Sequence, residues 1–120
     1  IIATGHLVWE ALEAIKKLYE KGISADLLNI HTIKPLDESS ILSSVRKTGC
    51  VVTAEEHNYW GGLGESVARV LVKNYPVPQE FVATNDTFGE SGTPAQLMKK
   101  YEINSSSILN SVLRLLKKSG

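Results

Sequence analysis

A polar and aromatic stretch from Glu55 to Gly64 contains the residues whose types and spacing best suit chemistry. Two adjacent carboxylates, Glu55 and Glu56, precede the imidazole of His57. Neighbouring groups of this kind can shift each other's pKa values, so an acid/base site is the first hypothesis. Successive side chains of an extended segment point to opposite sides, however, so Glu55 and Glu56 cannot easily share one site. A structural or interface role is the favoured prediction for all three residues.

The glycine turn Gly61-Gly62-Leu63-Gly64 is a second candidate because it opens a predicted helix. Free N–H groups at a helix start can hold an anion such as phosphate. The turn matches neither the G-x-G-x-x-G pattern nor a Walker A motif, and Glu65 would repel an anion there. The favoured interpretation is that these glycines let the turn pack tightly. Glycine permits positive φ angles and a close approach of the backbone to its neighbours. A free-standing α/β module that binds a small anion at this turn stays open as an alternative.

The sequence gives little support to a metal site or to a serine nucleophile. No second histidine stands at ligand spacing from His57, since His6 and His31 are far away in the sequence. Ser91 lacks the G-x-S-x-G context of a nucleophile elbow. We therefore assign no catalytic, cofactor-binding or metal-binding residue to this chain.

Tyr59 and Trp60 place two large aromatic side chains in the same loop. Tyr and Trp are enriched among the anchors of protein interfaces. The same residues would also suit a loop that folds back over the core of its own domain. The residue types alone leave both interpretations open.

Composition narrows the class of protein. The chain has 120 residues, of which 42% are hydrophobic, and this suits one domain with a single core. Thirteen basic and thirteen acidic residues give zero formal charge, which favours neither nucleic acid nor an anionic membrane surface. The single cysteine, Cys50, excludes an internal disulfide and favours a cytoplasmic location. No apolar run approaches the roughly 20 residues that a membrane span needs.

The elements that position the Glu55–Gly64 stretch alternate between strand and helix. Short apolar segments predict four strands, at Ile1–Thr4, Ala25–Ile30, Cys50–Ala54 and Glu80–Ala83. This alternation favours a single α/β domain over residues 1–120, with three α/β/α layers and a parallel, doubly wound sheet. We predict the strand order second, first, third, fourth. The stretch would then lie at the carboxyl end of the sheet, where ligands and partners gather.

The helices are predicted from apolar residues at helical spacing. In the first helix, Glu10 falls on the polar face and Trp9 is expected to be partly buried. The apolar face of that helix comprises Val8, Ala11, Leu12, Ile15, Leu18 and Tyr19. Asp37 is a predicted N-cap, and Thr93 to Gln96 predicts a capping box. A short helix would then end near Tyr101, and Ser105 would cap a separate last helix.

Four segments in this order resemble the C-terminal domain of transketolase. They are Ala3-Thr4-Gly5, His31–Asp37, Glu55–Glu65 and Phe88–Gly92. The likeness extends over essentially the whole chain and is strongest to the C-terminal section of split bacterial and archaeal transketolases. A related domain occurs in deoxyxylulose-phosphate synthase. The resemblance implies a further, antiparallel edge strand upstream of Ile1, and the chain is expected to be a fragment of a larger one.

For function, the resemblance implies a transferase that moves a two-carbon ketol unit between phosphorylated sugars in the pentose phosphate pathway. The parent enzyme would use thiamine diphosphate and Mg²⁺ and act as a homodimer. This domain would contact other transketolase domains or an N-terminal subunit, serving assembly and not chemistry. The alternative is the same domain of deoxyxylulose-phosphate synthase or of a 2-oxoacid dehydrogenase β subunit.

The resemblance also favours an interface role for the stretch after the third strand. Two aromatic anchors flanked by three polar groups suit a subunit or domain contact. Glycines there let a partner approach the backbone closely. The predicted interface residues are Glu55, Glu56, His57, Tyr59, Trp60, Gly61, Gly62 and Gly64.

The isolated chain is expected neither to bind thiamine diphosphate nor to catalyse ketol transfer. In the family that it resembles, a Gly-Asp-Gly segment and paired asparagines hold the metal and diphosphate, and this sequence contains neither motif. Calorimetric titration with thiamine diphosphate and Mg²⁺ should therefore show no saturable binding. A dissociation constant near micromolar, about −8 kcal/mol, would contradict the expectation.

Overall fold

Four parallel strands form one sheet in the computed structural model, which describes residues 1–5, 7–30, 36–56, 62–84 and 93–119. The strands are β1 (Ile2–Ala3), β2 (Leu28–Asn29), β3 (Val51–Glu56) and β4 (Gln79–Thr84). They pair in the order β2-β1-β3-β4, and every pair is parallel. The register sets Ile2 opposite both Leu28 and Thr53. The predicted strand order is therefore confirmed.

Four helices cover the two faces of this sheet. They are α1 (Leu7–Glu20), α2 (Glu38–Thr48), α3 (Leu63–Asn74) and α4 (Pro94–Ser119). α1 and α4 pack together on one face, and α2 and α3 pack on the other. The predicted three-layer α/β/α architecture is confirmed. Within the described ranges, no helix combines the length and the apolar character needed to cross a membrane.

β3 is the strand that both apolar cores share. Its successive side chains alternate between the two faces of the sheet. Val52 and Ala54 enter the core beneath α1 and α4, where they meet Leu7 and Ile108. Val51 enters the core beneath α2 and α3, which also contains Ile2, Ile41, Leu63 and Val67. Burial on both faces explains why this strand is a nearly continuous apolar run in the sequence.

The helix ends use polar groups at the positions that the sequence predicts. At the start of α2, the Asp37 carboxylate accepts a hydrogen bond from the Ser40 N–H at 3.2 Å. At the start of α4, the Gln96 N–H donates to the Thr93 hydroxyl oxygen at 3.2 Å. In return, the Thr93 N–H donates to the Gln96 side-chain oxygen at 2.9 Å. The predicted N-cap and the reciprocal capping box are both confirmed.

The buried face of α1 differs from the predicted one. Glu10, expected on the polar face, is only 7% exposed, whereas Leu12 and Tyr19 are exposed. Trp9 is 64% exposed and not partly buried. The Tyr101 hydroxyl of α4 donates to the Trp9 carbonyl at 2.9 Å, which holds α4 against this side of α1. The position of α4 therefore decides which face of α1 is covered.

The carboxyl-terminal part of the chain forms one helix of 26 residues instead of the two predicted. Ser105 is buried, and its hydroxyl donates to the Glu102 carbonyl at 3.0 Å. An N-cap side chain would instead accept a hydrogen bond from an N–H group. Neither glycine nor proline lies between Tyr101 and Ile108, so no residue there forces the helix to end. Packing of Ile108 in the core outweighs the weak helix propensity of the neighbouring Asn104 and Ser105.

The Ser106→Pro variant distinguishes one continuous helix from two separate helices. Ser106 would be the first residue of a separate helix, where proline is well tolerated. Inside a continuous helix, proline removes a hydrogen bond and clashes with the preceding turn, at a cost of about 3 kcal/mol or more. Chemical denaturation should show this loss in the free energy of unfolding. The exposed Ser106→Ala control should change it by less than about 0.5 kcal/mol, and a proline variant as stable as that control would contradict the continuous helix.

Candidate functional site

β3 and β4 end side by side at the carboxyl end of the sheet. Their parallel register sets Glu55 opposite Ala83 and Glu56 opposite Thr84. The segments that follow, residues 57–61 and 85–92, lie outside the described residues. The two strand ends from which these segments start are thus neighbours, as the predicted topology requires.

Glu55, next to the last residue of β3, caps the first turn of α3. Its carboxylate accepts hydrogen bonds from the Leu63 N–H at 2.5 Å and the Gly64 N–H at 3.2 Å. These N–H groups have no acceptor within the helix because they belong to its first turn. The N-cap residue, Gly62, makes no side-chain capping bond. Glu55 supplies the missing acceptor from the strand, and its negative charge lies favourably at the positive end of the helix dipole.

This cap argues against the alternative of an anion site at the glycine turn. An anion at the start of α3 would need the N–H groups of Leu63 and Gly64, and both already donate to Glu55. The carboxylates of Glu55 and Glu65 would also repel an anion there. The start of α3 therefore binds the carboxylate of Glu55, and it is not suited to bind the diphosphate of a cofactor.

Gly64 lets the first turn of α3 lie directly on the sheet. A Cβ atom at this position would lie 2.5 Å from Cδ2 of Phe81 and 3.2 Å from Oγ1 of Thr53. The Gln79 side-chain amide donates to the Gly64 carbonyl at 3.0 Å and to the Thr53 hydroxyl oxygen at 3.2 Å. The first turn of α3 is thus held by side chains from both β3 and β4.

The described glycines of the turn act through their small size and not through positive φ. Gly62 has a φ of −72°, and Gly64 is not among the described glycines with positive φ. Neither residue uses the positive φ that glycine permits, because both belong to the N-cap and first turn of a helix. The expected close backbone approach is confirmed at Gly64.

The structure brings together only part of the predicted interface set. Glu55, Gly62 and Gly64 meet at the junction between β3 and α3, and Glu56 ends the strand. The other members, His57, Tyr59, Trp60 and Gly61, lie outside the described residues. The interface role of the set stays a prediction.

Sequence reasoning missed the Gln79–Thr53 contact that supports this junction. The two residues are 26 positions apart, so no local pattern links them. The one available signal was a polar residue, Thr53, inside an otherwise apolar strand. A buried hydroxyl needs a hydrogen-bond partner, and Gln79 on the neighbouring strand provides it.

The described part of the chain gives no support to a metal site or to a cysteine nucleophile. No cluster of three or more His, Cys, Asp or Glu side chains there could hold a metal ion. Cys50 precedes β3, at the opposite end of the sheet from Glu55, and burial raises the pKa of its thiol. Cys50 packs against the core beneath α1 and α4, and a thiol with a raised pKa is a poorer nucleophile.

Comparison with known protein families matches this architecture. The family model described as the C-terminal domain of transketolase matches residues 1–108. The chain belongs to the transketolase C-terminal domain family. The match covers all four strands and three of the helices, together with the first part of α4.

Relatives of this transketolase C-terminal domain include subunits and sections of divided transketolases. The chain is 46% identical to a 6-deoxy-6-sulfo-D-fructose transketolase subunit of Clostridium sp. (strain MSTE9), over 91% of this chain and 34% of that relative. It is 42% identical to a putative transketolase C-terminal section of Methanocaldococcus jannaschii, over 98% of this chain and 37% of that relative. Whole transketolases and deoxyxylulose-phosphate synthases are also among its relatives.

A solved structure described as a split gene transketolase, inactive β4 tetramer, has the same fold. It matches with a TM-score of 0.81 and 43% identity, over 97% of this chain and 38% of that chain. The transketolase C-terminal domain thus spans 34–38% of these three related proteins.

Glu55→Ala should destabilise the domain by removing the cap of α3. Hydrogen bonds to a charged group contribute about 1.5–3 kcal/mol, and loss of an N-cap typically costs about 1 kcal/mol. We therefore expect the free energy of unfolding, measured by urea denaturation, to fall by about 1–3 kcal/mol.

Glu65→Ala is the matched control in the same helical turn. Its exposed carboxylate lies near the helix dipole, and among the described residues it accepts no N–H of the first turn. Its removal should change the free energy of unfolding by about 0.5 kcal/mol. Equal effects of the two substitutions would show that Glu55 acts only through its charge and not as a hydrogen-bonded cap.

Proposed function

We propose that this chain is the C-terminal domain of a thiamine-diphosphate-dependent transketolase and serves assembly and subunit contacts. The family match over residues 1–108 carries the proposal. The relatives named as a transketolase subunit and as a transketolase C-terminal section support it. The parent enzyme would move a two-carbon ketol unit between phosphorylated sugars, as in the pentose phosphate pathway, in the cytoplasm.

The cofactor and Mg²⁺ would bind to other parts of the parent enzyme. In this chain, the helix start best placed to receive a diphosphate is capped by Glu55. The sequence also contains no Gly-Asp-Gly segment and no paired asparagines. The proposal therefore assigns no step of ketol transfer to a residue of this domain.

The junction between β3 and α3 supports an assembly role for the intervening segment. Glu55 joins the strand to the helix, so both ends of residues 57–61 are attached to the rigid sheet. A segment with fixed ends has less conformational freedom to lose when it binds a partner. Tyr59 and Trp60 would be the aromatic anchors of that contact, with His57 and Glu56 at its rim.

The proposed partners are the other domains of a transketolase or a separate N-terminal subunit. Because the chain spans 34–38% of the related subunit, section and split-gene structure and 17–19% of the longer relatives, those partners would form most of the enzyme. We also propose that the parent enzyme contains this domain in more than one copy, as a homodimer. The similar solved structure, described as a β4 tetramer, supports self-association.

The same domain of deoxyxylulose-phosphate synthase or of a 2-oxoacid dehydrogenase β subunit is the second candidate. Its support is the 39% identity to a 1-deoxy-D-xylulose-5-phosphate synthase of Geobacter sulfurreducens. The donor substrate of the assembled enzyme separates these functions. A ketose phosphate donor supports transketolase, whereas a 2-oxo acid that loses CO₂ supports the second candidate.

Trp60→Ala should weaken assembly with the remaining transketolase domains while this domain stays folded. Truncating an aromatic anchor typically costs about 2 kcal/mol or more of association energy. That loss corresponds to a roughly 30-fold weaker affinity, at about 1.4 kcal/mol per factor of ten. Sedimentation velocity with the N-terminal section measures the affinity, and circular dichroism measures folding.

Tyr19→Ala is a control for this experiment. Tyr19 is an exposed aromatic residue in the last turn of α1, at the opposite end of that helix from the carboxyl end of β1. It should leave the affinity unchanged. If Trp60→Ala unfolds the domain, Trp60 belongs to the core and the interface proposal fails. The proposal also fails if Trp60→Ala changes neither affinity nor folding.

A further inference from the structure

The outer edge of β4 has no partner strand among the described residues, which do not include residues 85–92 directly after β4. β4 comes last in the order β2-β1-β3-β4, and in the described part of the chain no strand pairs with its outer side. It spans six residues, Gln79–Thr84, and is one of the two longest described strands. An open edge of this length presents a row of backbone groups that suits strand pairing.

An apolar patch lies next to this open edge. Phe81 of β4 is 55% exposed, and Val72 of α3 is 74% exposed. The two side chains line a shallow groove between α3 and β4, together with Glu65, Ala68, Arg69 and Lys73. The groove therefore has an apolar floor and a charged rim, which is the usual pattern of a protein interface.

The charges on the rim are complementary to a second copy of the same helix. Glu65 and Lys73 lie eight residues apart, about 12 Å along α3, so they do not meet within one chain. If two α3 helices lie antiparallel about a two-fold axis near Arg69, Glu65 of each copy faces Lys73 of the other. The two Arg69 side chains repel each other near the axis, and the two Glu65–Lys73 pairs offset this repulsion. Ala68, a small residue beside the axis, lets the helices approach.

We propose that the β4 edge and the groove beside it bind a second copy of this chain about a two-fold axis. The two β4 strands would pair antiparallel and join the two sheets into one. Pairing centred on Phe81 would bring the two Phe81 rings together and cover Val72. This inference rests on the proposed assembly function. It assigns self-association to the β4 edge and its groove, which adjoin the Glu55–Gly64 stretch where Gly64 meets Phe81.

Sedimentation equilibrium of the 120-residue chain tests the proposal. The unmodified chain should form dimers, and Val72→Lys should raise the dimer dissociation constant at least about tenfold. Val72 is exposed on α3, so circular dichroism should show a folded variant.

Tyr19→Lys is the matched control, because Tyr19 is 76% exposed on α1, a helix on the other face of the sheet. A monomeric unmodified chain, or equal dimer dissociation constants for the two variants, would overturn the proposal.

Charge reversal tests the antiparallel arrangement directly. Glu65→Lys and Lys73→Glu should each weaken the dimer because each places like charges opposite one another. The double variant restores both pairs with their signs exchanged, so its dissociation constant should return to within about threefold of the unmodified value. Additive weakening in the double variant would overturn the two-fold arrangement.

Failure of this inference can be distinguished from failure of the proposed function. Val72→Lys should weaken self-association and leave binding to the N-terminal section intact, whereas Trp60→Ala should do the reverse. If Val72→Lys leaves the dimer intact while Trp60→Ala still weakens binding to the N-terminal section, only the β4 surface is wrong. If no N-terminal section binds while the β4 dimer forms, only the proposed function is wrong.

Discussion

The two hydrogen bonds from the first turn of α3 to Glu55 are the constraint on which the candidate site depends. They join the carboxyl end of β3 to the start of α3 across residues 57–61. Gly64 then allows this turn to lie against Phe81 and Thr53 without a Cβ between them. The direction of α3 follows from these contacts, and the groove between α3 and β4 follows from the direction of α3.

The same constraint determines what the carboxyl end of the sheet can bind. A helix start at this position commonly receives an anion through its free N–H groups. Here the Glu55 carboxylate occupies the position of the anion. The N–H groups therefore stabilise the junction between β3 and α3 and do not bind a ligand. This exchange agrees with the proposed role of the domain in subunit contacts and with the proposal that the cofactor binds elsewhere in the parent enzyme. The two proposed contact surfaces, at the carboxyl end of β3 and at the β4 edge, both depend on the position of α3.

Local signals in the sequence predicted most of the fold. The four strands are short, apolar runs separated by helical patterns, and such alternation permits few topologies. Asp37 and the pair Thr93 and Gln96 marked helix starts through hydrogen bonds that span three residues, so sequence alone identified them. The predictions failed where contacts between distant elements determine where a helix ends or which of its faces is buried. Ser105 resembles an N-cap, but packing against the core keeps it inside α4, and the position of α4 covers Glu10 on α1.

The sequence by itself determined the fold class and the family, because periodicity, caps and motif order are local properties. The strand order followed from the general preference for right-handed crossovers, applied to the alternation of strands and helices. The sequence also marked Glu55 and the glycines as unusual. Only the tertiary structure decided that the Glu55 carboxylate caps α3, since its partners lie eight and nine residues away. It likewise decided that Gly64 is needed for contact with Phe81, 17 residues further along the chain. The sequence specifies which hydrogen-bond donors, acceptors and side-chain volumes are present. Only the packing of β3, β4 and α3 determines which of these groups contact one another.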